Sequence, residues 1–138
     1  MKKTTDLLNE LKGSNNIDNY LKCNETIIID NTLAEYLCQI FEERSLSKSD
    51  VIHNSDINEI YAYQILAGKR LPSRDKIICL CIGAKFSVED TNKALQIGGY
   101  APLYPKTQRD SIIIYGIHNS YTVWKINEDL FRHGQDTF

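Results

Sequence analysis

The stretch LSKSDVIHNSDINEIYAYQILAGKRLPSR, residues 46–74, decides the fold of this 138-residue chain. Ser47 and Asp50 stand at the S-x-x-D spacing that opens a helix. A hydroxyl oxygen there satisfies an orphan backbone N–H, and the carboxylate sits at the positive end of the helix dipole. The polar residues from His53 to Asp56 interrupt that helix. Asp56 or Asn58 then caps a second one, over about residues 58–67, which carries Ala62, Ile65 and Leu66 and stops at Gly68. Two short helices with a tight connection form a helix-turn-helix.

Upstream, Asn31 or Thr32 caps a helix whose Leu33, Tyr36, Leu37, Ile40 and Phe41 recur at the three-and-four spacing of a buried face. Downstream, Ser73 caps a helix in which Ile77, Ile78, Leu80, Cys81 and Ile82 are apolar nearly all round, the pattern of a central core helix. Ser87 and Asp90 repeat the capping spacing for the next helix, with Val88, Thr91 and Leu95 inward and Gly98-Gly99 as its end. APLYP, residues 101–105, cannot continue it, because Pro102 and Pro105 lack an N–H and restrict the residues before them. A second helical pair follows. Thr107 and Asp110 cap SIIIYGIH, and Thr122 caps VWKINEDLFRH, where Val123, Ile126 and Leu130 form a stripe with Trp124 and Phe131 beside it and Gly134 ends the run. So apolar a hairpin has to dock, on the rest of the chain or on a second copy. Near the N-terminus, Leu7, Leu8 and Leu11 mark a short helix over residues 4–12. GSNNIDNY, residues 13–20, reads as a loop, and residues 26–29 form an apolar run too short to classify.

The spacing from Leu46 to Gly68 and the ending GKRLPSR resemble the lambda-repressor-like DNA-binding domains, the XRE type of helix-turn-helix. In that family a Leu-Ser opens the second helix, Val51 and Ile52 take the place of a Leu-Ala core pair, and Gly68-Lys69-Arg70 closes the recognition helix. The register runs on through Pro72-Ser73 to Phe86-Ser87-Val88, so the resemblance covers about residues 33–97. The chain departs from the family in four places. Phe41 and Leu66 replace a frequent Arg–Glu ion pair. Asp56 stands where the turn usually has Gly, and Ser55 where a core Leu precedes it. The recognition helix has no Arg or Lys before Lys69.

The expected architecture is all-α: a five-helix lambda-repressor-like helix-turn-helix core with an N-terminal helix and a C-terminal helical hairpin. The expected divisions are an N-terminal helix and linker arm over residues 1–30, the helix-turn-helix domain over 31–99, and the hairpin over 100–138, packed on the core or at a dimer interface. The length suits a core that needs neither disulfide nor metal.

Net charge is −2, so a phosphate-binding surface has to be a local patch. Between Arg44 and Lys76, six basic residues (Arg44, Lys48, Lys69, Arg70, Arg74, Lys76) face four acidic ones, which permits nucleic-acid binding without demanding it. With no signal peptide and no apolar run long enough to span a membrane, the four cysteines suit a reducing cytoplasm and no membrane partner is expected. Cys79 and Cys81, two apart on one helix, read as small core-filling residues. His53, His118 and His133 are scattered without ligand spacing. No nucleophile–base set, metal set or phosphate loop emerges, so no enzyme activity, cofactor or metal is expected.

What the resemblance implies is operator recognition on double-stranded DNA by a transcription regulator. Carried over residue by residue, Glu59, Ile60, Tyr63 and Gln64 face the major groove. Gln64 suits bidentate bonding to adenine, and Glu59 accepts from a cytosine amino group. Ser47, Lys48, Lys69, Arg70 and Arg74 contact phosphate. A lone helix-turn-helix reads few base pairs, so a homodimer is expected, with the hairpin supplying its interface. The alternative is a non-enzymatic protein-interaction adaptor that holds a protein partner through Tyr61, Tyr63 and the hairpin.

Overall fold

A computed structural model describes residues 32–138, together with Asn9 and Lys12, which are helical and exposed. The Leu7–Leu8–Leu11 stripe, the 13–20 loop, the 26–29 run and Cys23 lie outside the described residues. Residues 32–138 form one compact unit of seven helices with no strand among the described residues: α1 Leu33–Glu43, α2 Lys48–Ser55, α3 Glu59–Leu66, α4 Arg74–Gly83, α5 Val88–Ile97, α6 Gln108–His118 and α7 Val123–Arg132. The all-α expectation holds. None of these helices is long and apolar enough to cross a membrane.

Capping chemistry starts six of the seven helices where the sequence placed them. Thr32, Ser47, Asn58, Ser73, Ser87 and Thr122 each accept an N–H from the residue three further on, at 3.0 to 3.3 Å. Thr107 is the exception. Its side chain makes no cap bond, because its hydroxyl donates to Tyr104 O at 3.1 Å. The break expected at His53–Asp56 also moves. α2 runs on through Ser55, Asp56 ends it in the left-handed conformation (φ 55°), and Asn58 alone caps α3.

α4 is the central helix, with every residue from Ile77 to Gly83 buried. This explains how Cys79 and Cys81 can point to opposite sides and both be interior. Burial pushes the Cys79 thiol up to about 12 and raises Cys81 as well, so both remain protonated at neutral pH. α2 lies against the end of α4 so closely that a Cβ on Gly83 would sit 2.5 Å from Val51 O and 2.9 Å from Ser55 N. That approach is why Ser55 stands where the resemblance assigns a core Leu. A small side chain is needed there, and its buried hydroxyl is satisfied by donating to Val51 O at 2.5 Å.

Three helix connections repeat one design. Ser45-Leu46-Ser47, Lys85-Phe86-Ser87 and Ser120-Tyr121-Thr122 each consist of a left-handed residue (φ 55°, 60° and 57°), an apolar residue and the N-cap of the next helix. In each, the left-handed residue's N–H reaches back to the carbonyl three residues earlier, on Glu42, Ile82 or Ile117. The next N–H reaches five back, to Phe41, Cys81 or Gly116, so the last turn of the helix is closed by its own chain. Four and eight residues after each cap stand Val51 and Ser55, Thr91 and Leu95, and Ile126 and Leu130, all buried. Thus the α1–α2, α4–α5 and α6–α7 connections are the same joint three times, with α3 inserted after the first pair.

The third hairpin is part of this core. Ile113, Ile117, Val123, Ile126 and Leu130 are buried in the same cluster as Phe41, Ile78 and Leu95. The apolar stripe offered to either the core or a second copy is therefore covered within the chain, and residues 100–138 are continuous with 32–99. A reciprocal clasp locks the arrangement. Arg74-Asp75 at the start of α4 and Arg109-Asp110 at the start of α6 pair crosswise. Arg74 Nη1 and Nη2 donate to Asp110 Oδ1 and Oδ2 at 3.1 and 2.9 Å, and Arg109 donates to Asp75 with both distances 3.0 Å. Fork-to-fork geometry of this kind is the strongest form of Arg–carboxylate contact.

Both carboxylates also lie in the first turn of a helix, where the dipole favours negative charge. Arg74 further binds Ala101 O and Pro102 O, while Asp110 accepts Tyr104 N–H at 2.9 Å, so the APLYP segment is fastened on both sides. Arg109 reaches Asp136 O at 2.9 Å and stacks over the Phe138 ring at 5.5 Å, tying in the C-terminal residues.

Candidate nucleic-acid interface

α3 presents two unlike faces. Ala62, Ile65 and Leu66 are buried. Glu59, Ile60 and Tyr63 face out, Ile60 with 71% and Tyr63 with 41% of its surface exposed, and Gln64 and Tyr61 are half-buried at the margins. The four residues assigned to base reading thus share the outer side of one short helix. A groove of about 340 Å³ runs beside it, lined by Ser49, His53, Asp56, Glu59 and Tyr63.

α3 ends with Gly68 in the left-handed region (φ 77°), a conformation that costs a side-chain-bearing residue energy. Gly68 N–H bonds Ile65 O and Lys69 N–H bonds Gln64 O, at 3.1 and 2.9 Å. The chain therefore doubles back over the helix end, and Arg70 Nε donates to Gln64 Oε1 at 3.2 Å. Lys69 and Arg70 are both exposed. Ser47 and Lys48 open α2 at the surface. The Ser47 hydroxyl oxygen is occupied as the cap, accepting from Asp50 N at 3.3 Å.

Arg74 is engaged within the fold. Its guanidinium is engaged by Asp110, Ala101 O and Pro102 O, so it fastens α4 to α6 and is not a free phosphate contact. Arg44 is drawn away in the same manner, pairing with Asp90 at 2.8 Å and lying over the Phe86 ring at 5.2 Å. Around α2 and α3 the exposed cations are then Lys48, Lys69 and Arg70, against the exposed carboxylates Asp50, Asp56 and Glu59. The positive excess counted along the sequence is balanced at this face. Sequence reasoning also missed Leu71, which is 95% exposed directly after Arg70.

Elsewhere, His53, His118 and His133 are exposed, and no group of His, Cys, Asp and Glu among the described residues could hold a metal ion. On α7, Trp124 and Phe131 are 71% and 79% exposed. They lie two helical turns apart, on the same side of the helix. Comparison with known proteins finds no matching family model, no matching curated protein and no matching solved structure.

Proposed function

We propose that this protein is a sequence-specific, DNA-binding transcription regulator without enzyme activity, acting in the cytoplasm through a lambda-repressor-like helix-turn-helix formed by α2 and α3. The observation that carries the reading is the outward face of α3. Glu59, Ile60 and Tyr63 are exposed, with Gln64 half-buried at their margin, on a helix capped and stopped at both ends, and Lys48, Lys69 and Arg70 are exposed at the start of α2 and after the end of α3. Base readout requires side chains on an exposed helix flanked by groups that grip phosphate.

With Arg74 engaged elsewhere, Lys48 and Lys69 are the cleanest phosphate-binding side chains. Changing both to Ala lowers affinity for every duplex alike. It also flattens the log–log salt dependence by about 1 for each phosphate no longer neutralised, through reduced counterion release. An unchanged salt slope in fluorescence-anisotropy titrations excludes these two lysines as phosphate ligands.

A homodimer supplies the second half-site in this proposal. The surface left to it is the outer face of α7, with Trp124 and Phe131, since the buried stripe is already used. Sedimentation of the full chain beside Trp124→Ala/Phe131→Ala checks this, the variant being expected to shift towards monomer.

The second reading, a protein-interaction adaptor, is favoured by the balanced charge of the face and by Ile60, Tyr63 and Leu71 exposed together with it. Aromatic and aliphatic residues of this kind anchor protein interfaces. Failure of the full chain to retain any duplex at low salt selects this reading.

A further inference from the structure

Gln64 is not free to present its amide in either sense. The turn that ends α3 brings Arg70 back over it, and Arg70 Nε–H donates to Gln64 Oε1 at 3.2 Å. A guanidinium has donors only. The amide atom facing it therefore has to be the oxygen, and the nitrogen with its two N–H groups becomes the outward end of the side chain.

We propose that Arg70 is a positioning residue for Gln64 and that the pair reads guanine, where Gln64 alone would read adenine. This rests on the DNA-binding reading. Bidentate recognition of adenine needs the amide oxygen to accept from the N6 amino group while the nitrogen donates to N7. Arg70 takes one of the two lone pairs of that oxygen and sets a cation beside it, which opposes the approach of a second donor. The major-groove edge of guanine offers O6 and N7, both acceptors and neither a donor. An amide presented through its nitrogen matches that edge, and the adjacent guanidinium adds positive charge towards the same two acceptors. The residue expected merely to grip phosphate thus sets the chemical sense in which its neighbour reads a base.

The test is selection of binding sites from randomised duplexes by the full-length chain, for the natural protein, Arg70→Ala and Gln64→Ala. The natural protein is expected to enrich guanine at one position of each half-site, and Gln64→Ala to lose that enrichment. Arg70→Ala releases the oxygen and moves the preference at that position from guanine to adenine, a change in their ratio on the order of tenfold, the scale of discrimination carried by one good side-chain–base contact. If Arg70→Ala weakens binding to all duplexes alike and keeps guanine, or if the natural protein already selects adenine, the proposal is overturned while DNA binding stands. If the natural protein enriches no sequence, the DNA-binding reading falls and takes the proposal with it. A measurement without DNA separates these cases further. In ¹H–¹⁵N spectra of the free protein, Arg70→Ala is expected to move the side-chain amide signals of Gln64 and leave core signals in place. Unmoved Gln64 signals overturn the positioning role.

Discussion

Arg70 and Arg74 belong to the same short run, GKRLPSR, yet the turn after α3 and the first turn of α4 use arginine in opposite ways. At Arg70 the side chain lies on the surface and, among the described residues, is held by a bond to Gln64. At Arg74 it is half-buried and meets a carboxylate and two carbonyls. Sequence distance does not create this difference. Asp110 does, by bringing its own charge beneath the α4 terminus with only 7% of its surface exposed. Identical side chains four residues apart thus divide between holding two helices together and lying at the surface, according to what the fold places opposite them.

The contrast is broken most severely at the clasp. Arg74→Ala leaves the Asp110 carboxylate buried without its ion-pair partner, with the Tyr104 N–H still donating to it, and is expected to cost about 3 kcal/mol, the scale for removing one partner of a buried ion pair. Arg109→Ala is expected to cost about 1 kcal/mol, because the Asp75 side chain keeps 35% of its exposure and stays hydrated. Urea unfolding followed by circular dichroism ranks the two. Equal losses would show that burial does not set the hierarchy.

A smaller effect follows from acid. Burial alone would raise the Asp110 pKa, but hydrogen bonds from Arg74 and Tyr104 N–H outweigh it and hold the carboxyl below its ordinary 3.8. A folded-state pKa below the unfolded one means that the ionised form contributes stability. That contribution is complete above about pH 4 and is lost as pH falls through the lowered value. Denaturant midpoints measured downward from pH 5 should therefore drop more steeply in the natural protein than in Asp110→Asn, which has already lost the charge.

The smallest effect sharpens the comparison from the other side. Lys69→Ala and Arg70→Ala are expected to leave stability within about 0.5 kcal/mol, as surface substitutions do, while changing behaviour towards DNA. A large stability loss at either position would show that the two regions are not divided in this way.

Much of the fold was legible because it rests on local rules. Ser and Thr caps, the all-round apolar character of Ile77–Ile82 and the Val123–Ile126–Leu130 stripe each act within a few residues of where they are written. The pairing of Arg74 was not legible because its partner stands 36 residues away, and a cation gives no sign along the chain of which carboxylate it will meet. One trace existed in the repeated dipeptide Arg-Asp at 74–75 and 109–110. Thr107 resembled a cap, but the tight turn at Tyr104 claimed its hydroxyl and the clasp claimed Asp110. Ser45, Lys85 and Ser120 were invisible as joints because left-handed positions are sought at glycine. Here the back-reaching N–H bonds offset a backbone cost of roughly 1–2 kcal/mol. On the outer face of α3, the exposure of Glu59, Ile60 and Tyr63 was what the family resemblance implied, whereas the bond between Arg70 and Gln64 depended on the path of a turn.

The thrice-repeated joint also has a consequence for the speed of assembly. Each left-handed residue closes its hairpin through bonds spanning three to five residues, and the two halves of the clasp are separated by fewer than forty. The loop-closure entropy that slows proteins built on distant pairings is therefore small at these joints, and larger where Arg44 meets Asp90, 46 residues away. The charged clasp, by contrast, joins the starts of α4 and α6 across the fold and opposes their separation once they have met.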